Sequence, residues 1–371
     1  MEFRIKKEDL FKGLQKAQGI VAAKGAMPIL ANILLEAREG EIAISATDLD
    51  MGMEGQYPAQ VAIPGRLTIN ARKIFDIVRE LPDEEISVKS SENDWLNLSC
   101  GRSKFKIAGI PPEEFPKLPS FEDSAFSMKL ERDVLRDLIR KTIYASSNDT
   151  TRRNLNGTLL ELEEKEIRMV GTDGHRLAFA SYATQEPIAE PGKTQSVILP
   201  KKALGEILKF LEDGEGPITF YLGENHASFR KEKFRLVSRL VDDQFPLYRQ
   251  VIPTENQHKA VADRDSFLHA LKRVSIMSDE SSRLVRFEFG QGLLRLMAQN
   301  ADIGEAVEEI EIEYSEQDIP IGLNATYILD VLNNMPSEKV DILLKDTRSS
   351  CLISPMGDDS YKCIVMPMRL N

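Results

Sequence analysis

The chain has 371 residues, 42% of them hydrophobic and 29% charged, with a net charge of −11. At roughly 100–200 residues per domain that length predicts two or three domains, and no apolar run reaches the roughly 18 residues a membrane helix needs. Cys100, Cys351 and Cys363 make no CxxC pair and the four histidines show no zinc spacing, so no disulfide framework, metal or other cofactor is expected.

The opening MEFRIKKEDLF is charged from its second residue and lacks the apolar centre of a signal peptide, and the odd number of unpaired cysteines predicts a reducing, cytoplasmic setting. Next, KKEDLFKGLQKAQGIV (6–21) is basic with apolar residues at helical spacing. LLEAREGEIAISATDLDMGMEG (34–55) reads as apolar strands around a Thr-Asp turn. A second helix, NARKIFDIVRELP (70–82), is followed by alternating strands that include SKFKIAGIPPEEFPKLP.

The order then begins again. ERDVLRDLIRKTIYAS (131–146) is a basic helix, LLELEEKEIRMVGTDGHRLAFA (159–180) holds the turn, PKKALGEILKFLE (200–212) is the second helix, and EKFRLVSRLVDDQFPLYRQVIP ends the series. A third series runs through DRDSFLHALKRVSIMS (263–278), FEFGQGLLRLMAQNADIGEAVEE (287–309), NATYILDVLNNMP (324–336) and SYKCIVMPMRL. Thr47 and Thr172 stand 125 residues apart, and Thr172 and Asn300 stand 128 apart. A period of that length predicts three tandem α+β domains, 1–120, 127–250 and 257–371, each with two helices and several strands. Boundaries are expected near 115–126 and 248–260, where prolines and polar residues interrupt the periodicity.

GTDGHRLAF (171–179) places Asp173, Gly174, His175 and Arg176 together and looks like chemistry. The other two copies carry Leu49-Asp50 and Ile303-Gly304 in place of Gly174-His175, so the shared feature is an acidic turn between strands. No Ser, Cys or second His completes a triad, and no phosphate-binding glycine motif is present. No residue is assigned a catalytic role. A hydrolase built on Asp173 and His175 stays open as an alternative, as does a monomeric repeat scaffold for other proteins.

The charges are sorted. Lysines and arginines gather on the helices, while acidic runs such as ELEEKE (161–166) and EEIEIEYSEQD (308–318) fall on strands and loops. The Debye length at physiological salt, about 8 Å, is close to a helix diameter, so a basic helix layer can attract phosphates despite an acidic whole. Trp95 is the only tryptophan and no DNA-reading motif appears, which disfavours single-strand stacking and sequence readout.

Three tandem copies, TDLDMGME, TDGHRLAF, FPLYRQVIP and the terminal VMPMRL together resemble the bacterial sliding clamps, the beta subunits of DNA polymerase III, over the whole chain. The resemblance implies a non-catalytic head-to-tail homodimer whose six domains form a closed ring, with helices lining the hole and antiparallel sheets outside. The ring would encircle double-stranded DNA and slide without sequence preference. Lys12, Lys24, Arg152, Arg153, Lys201 and Lys202 would face phosphates, and Phe105, Ile276 and Met277 would meet at the dimer interface. A pocket of Leu155, Thr172, Gly174, His175, Arg176, Leu177, Pro246, Val251, Ser350, Val365, Met366, Pro367, Met368 and Arg369 would take short peptides. Those peptides would come from the polymerase III catalytic subunit, the clamp loader, other polymerases and repair proteins. Departures from the family pattern fall at Lys24 and Gln250, each in place of an arginine, and at Arg153 and Asn154, where some relatives are aromatic.

Overall fold

The computed structural model describes residues 1–22, 27–121, 126–212, 214–253 and 258–370. One order of elements is traversed three times. The first pass runs β1 (Glu2–Lys6), α1 (Lys7–Gln18), β2 (Asn32–Arg38), β3 (Glu41–Thr47), β4 (Met51–Pro58), a short extra β5 (Gln60–Ile63), β6 (Gly65–Asn70), α2 (Ala71–Glu80), β7 (Glu85–Ser91), β8 (Trp95–Cys100) and β9 (Ser103–Ile110). The second runs β10 (Phe126–Leu130), α3 (Arg132–Ile143), β11 (Gly157–Glu163), β12 (Glu166–Thr172), β13 (Arg176–Ala183), β14 (Gln195–Pro200), α4 (Lys201–Glu212), β15 (Ile218–Leu222), β16 (His226–Lys231) and β17 (Phe234–Arg239). The third runs β18 (His258–Asp263), α5 (Arg264–Ser275), β19 (Leu284–Gly290), β20 (Leu293–Asn300), β21 (Gly304–Glu313), β22 (Ile319–Asn324), α6 (Ala325–Asn333), β23 (Lys339–Leu344), β24 (Cys351–Pro355) and β25 (Tyr361–Val365).

Local chemistry explains where the helices begin. Asn70 and Asn324 accept hydrogen bonds from Lys73 N and Tyr327 N, and Asp263 accepts one from Ser266 N, satisfying donors that a first turn leaves open. The helices bury one apolar stripe, Leu10, Leu14 and Ala17 in α1 and Phe267, Leu271 and Val274 in α5. Fully burying a Leu, Val or Phe side chain in such a stripe stabilises by about 1.5–3 kcal/mol.

The chain divides into two compact units, Met1–Arg132 with Gly205–Leu240, and Asp133–Leu204 with Val241–Asn371. Each holds one continuous antiparallel sheet among the described residues. The first has the order β10-β15-β16-β17-β4-β3-β2-β6-β9-β8-β7-β1-β5, and the second β14-β11-β12-β13-β25-β24-β23-β18-β21-β20-β19-β22. In both, the strand that leaves the Thr-Asp turn pairs with the last strand of the following pass: β4 with β17, β13 with β25. The middle pass therefore has both of its half-sheets extended by a neighbour, which is why the compact division runs through it.

Candidate functional site

The Thr-Asp turn is a hydrogen-bonded device that the chain uses twice. In the second pass Thr172 Oγ1 donates to Arg176 O and accepts from Gly174 N, while Asp173 Oδ1 accepts from His175 N and Arg176 N. The first pass repeats every bond: Thr47 Oγ1 donates to Met51 O and accepts from Leu49 N, and Asp48 Oδ1 accepts from Asp50 N and Met51 N. Gly174 has φ +91°, the left-handed region that glycine tolerates, whereas Leu49 holds φ +80° with a side chain. Asp173 Oδ2 is taken by Arg176 Nε at 3.1 Å, and the exposed His175 ring makes no hydrogen bond among the described residues. An Asp-His pair for proton transfer does not form.

Arg176 is where the two turns part. Its guanidinium, mostly buried, donates to Asp173, to Asp330 at 2.6 Å and to Tyr144 O at 2.8 Å, and lies 4.5 Å from the Tyr327 ring centre. Tyr144 in turn bonds Tyr361 and Cys363, and burial drives both phenols well above their ordinary range. Cys363 and Cys351 are buried free thiols pushed up by burial to about 11 and about 12.

Of the residues assigned to the pocket, the strand registers bring together Arg176, Leu177 and Val365, with Ser350 beside them, but on two faces of the sheet. Arg176 faces Val365, which faces Cys351, with half-buried Ser350 one residue before it. Leu177, Ile364, Leu352, Val170, Leu159 and Ile198 form an apolar row across the sheet, covered by Phe245, Tyr248 and Ile252 of the linker. Tyr248 donates to the buried Glu161 carboxylate at 2.6 Å. That leaves Pro246 exposed, Leu247 74% exposed and Val251 40% exposed on the outer side. Leu155 and Thr172 are buried.

β25 lies inside the sheet and ends at Val365, two residues before Pro367, which has no donor for a ladder. The tail continues as a tether: Met366 N donates to His175 O and Met368 N to Gly322 O. Met366 is 43% exposed, Pro367 and Met368 are half-buried, and Arg369 is exposed. The arrangement is an apolar floor with adaptable methionines and a few oriented polar groups, chemistry suited to a short peptide.

Sequence reasoning missed Tyr144, Tyr327, Asp330 and Glu161. Asp330 lies 154 residues from Arg176, so no local spacing could signal the pair. At Gln250, where an arginine was expected, the neighbouring Arg249 does not substitute, because it pairs with Glu161 and Glu163 at 3.2 and 3.0 Å. Asn154 donates to Gln244 O, tying its loop to the linker.

The residues assigned to DNA are unequal. Arg153 and Lys202 are exposed, and Lys12 is exposed with an ion pair to Glu8 at 2.7 Å. Arg152 donates to Asp173 O and backs the turn. Lys201 is engaged by Ser146 O and Asn148 Oδ1, with burial holding its ammonium below the ordinary lysine range. Lys24 lies outside the described residues. Several helix bases pair with acids on their own helix, among them Arg79, Arg136, Lys141 and Lys209, and α6 carries no base at all. The basic layer is thus patchier than the sequence count predicts. An exposed pair such as Arg79 with Asp76 is worth only about 0–1 kcal/mol, so phosphates can compete for it.

Phe105, 37% exposed, lies on β9, and Ile276, 74% exposed, ends α5. Met277 is half-buried with its methyl against Gly304 at the start of β21.

Family models for the DNA polymerase III beta subunit match in three consecutive parts: the N-terminal domain over residues 1–119, the central domain over 129–247 and the C-terminal domain over 249–369. The beta sliding clamp of Pseudomonas putida is 37% identical over the full length of both chains. The crystal structure of the DNA polymerase III subunit beta from Pseudomonas aeruginosa, 35% identical, superposes over all of both chains with a TM-score of 0.95. A Caulobacter crescentus beta sliding clamp, 33% identical with a TM-score of 0.94 over both full chains, carries a polyethylene glycol in the region assigned there to beta-motif tethering. With its repeated passes, its shared turns and this full-length similarity, the chain belongs to the DNA polymerase III beta subunit family, the bacterial sliding clamps.

Proposed function

We propose that two copies of this chain close head to tail into a ring that encircles duplex DNA, slides without sequence readout and tethers partners through the cleft beside the Thr172–Arg176 turn. The family is one of processivity factors for DNA synthesis and not of enzymes. Three clamp domains, 1–120, 127–250 and 257–371, agree with the thrice-repeated element order and the ranges of the family matches.

The observation that carries the ring is the pairing rule. Each strand leaving the turn position takes the last strand of the next pass, and the rule leaves β21 without a following pass and β9 without a preceding one. β9 reads SKFKIAGI with Lys104 and Lys106, and β21 reads GEAVEEIEIE with Glu305, Glu308, Glu309 and Glu311. Among the described residues β9 meets β6 only at Gly109 and Ile110, and β21 meets β18 only at Ile312 and Glu313, so the rest of each strand is open on that side, one basic and one acidic. Joining these lengths between two copies gives six equivalent crossings. Val307 on β21, 51% exposed, and Phe105 on β9 would add apolar contact.

Retention on DNA would be topological, with Lys12, Lys24, Arg152, Arg153, Lys201 and Lys202 supplying weak phosphate attraction. The cleft over Leu177, with Met366 and Met368 at its end, would seat apolar anchors of peptides from the polymerase III catalytic subunit, the clamp loader, other polymerases and repair proteins. Val365, assigned to that lining from the resemblance, is fully buried on the opposite face of the sheet with Arg176 and Cys351. In the described residues no helix is long and apolar enough to cross a membrane. Three reduced, buried cysteines support a cytoplasmic setting.

Two measurements test this. Changing Ile276→Asp together with Met277→Lys is expected to give a folded monomer by light scattering, because uncompensated charge opens a modest interface. A loaded ring is expected to persist on nicked circular DNA and to leave after linearisation. A dimeric double variant, or equal retention on circles and free-ended fragments, contradicts the ring.

A further inference from the structure

The crossing of β4 with β17 repeats that of β13 with β25, but its outward face has different chemistry. Aligning the two turns sets Gly52 against Leu177 and Glu54 against Phe179, and aligning Phe115-Pro116 with Phe245-Pro246 sets Leu118 against Tyr248. Gly52 makes room for the linker, since a Cβ there would stand 2.3 Å from a Leu118 methyl carbon. Between linker and sheet lies a cavity of about 400 Å³.

Its wall carries an unbalanced charge. Arg230 and Arg235 are direct cross-strand partners on β16 and β17, an arrangement that repels. Arg235 is answered by Pro119 O at 3.1 Å and Glu54 at 3.3 Å. Arg230 is exposed, and its guanidinium makes no ion pair or hydrogen bond among the described residues. Two residues along β16, the fully buried hydroxyl of Ser228 also has no partner there. Beside them the rings of Phe121 and Tyr221 lie 6.4 Å apart.

We propose that this cavity is a second ligand site, taking one carboxylate of an acidic peptide on Arg230 and an adjacent apolar side chain against Phe121 and Tyr221. The planar guanidinium suits a carboxylate. A monoanion fits better than phosphate because Lys233 and Arg235, the other cations of the lining, are taken by Glu41 and Glu54, and Glu232 in the same cavity would repel a second negative charge. The choice of a peptide rests on reading the equivalent crossing as the peptide cleft; the charge arrangement stands independently.

The test is a titration of the full-length protein, followed by NMR at the Leu118 methyls and the Arg230 Nε–H. The probes are acetyl-Phe-Glu-amide, acetyl-Phe-Gln-amide and inorganic phosphate. The Glu peptide is expected to shift both signals and to bind about tenfold more tightly than the Gln peptide. Arg230→Gln, a surface change, is expected to erase that tenfold, while Met368→Ala leaves it intact and so separates this site from the other cleft. Equal binding of the two peptides, or an unaltered preference in Arg230→Gln, overturns the site. Phosphate competing as well as the Glu peptide overturns its assignment to a peptide carboxylate.

Discussion

The two crossings, β4 with β17 and β13 with β25, share a backbone and differ in what they present outward. At the first, Gly52 faces Val237 and Glu54 faces Arg235, with Leu118 laid over the glycine. At the second, Leu177 faces Ile364, and Tyr248 closes an apolar row that continues through Leu352. The turn before each crossing has the same Thr and Asp hydrogen bonds, yet only the second ends in an arginine that reaches Asp330 and Tyr144. The repeated backbone supplies position, and the chemistry comes from a few outward side chains.

Changing the floor of the second crossing has the largest expected effect. Leu177→Ala removes a buried side chain from the row and is expected to cost about 2–5 kcal/mol, measured by urea unfolding. Gly52→Ala, at the matching place, presses only on the end of the Leu118 side chain and is expected to cost less, at most about 1–3 kcal/mol. Equal losses would mean that the crossings are packed alike.

Next comes the linker. Tyr248→Phe leaves the buried Glu161 without its phenol donor and is expected to cost about 1–3 kcal/mol. Burial and the Glu161 carboxylate raise the Tyr248 phenol above its ordinary value, so its contribution is fully present below about pH 10 and fades as pH rises through the folded value. Stability of the Phe variant should therefore fall less steeply than wild type in that alkaline range; parallel curves would contradict the assignment.

The turns give the smallest effect. Gly174→Ala, forced into φ +91°, is expected to lose about 1 kcal/mol, and Leu49→Gly to gain a few tenths to about 1 kcal/mol by relieving φ +80°. Thermal unfolding of the two single variants reads both signs, and a stabilising Gly174→Ala would refute the shared turn geometry.

Much of the fold was legible because periodic apolar spacing and the Thr-Asp turns are local signals. Among the described residues, helices α1 to α6 lie within the segments read from sequence, and Asn70, Asp263 and Asn324 mark three of their starts. The pairing of β13 with β25 was not legible from spacing, since Leu177 and Ile364 meet only through a sheet extended between passes. Resemblance rather than periodicity brought VMPMRL beside TDGHRL in the sequence reading. Charge sorting was legible in outline but overstated, because a count of lysines does not reveal that Lys201 is engaged by Ser146 and Asn148. Arg153 should therefore carry more of the salt dependence of DNA attraction than Lys201.

The second crossing, with its methionine tail, is proposed as the peptide cleft. Calorimetric titration of a short polymerase-derived peptide with Leu and Phe anchors, into wild type and Met368→Ala, tests it most directly. Loss of a buried anchor contact commonly costs about 2 kcal/mol or more, so affinity is predicted to fall at least roughly thirtyfold while light scattering still reports a dimer. Unchanged affinity in the Met368 variant would contradict the claim and return the Thr172–Arg176 turn to a purely structural role.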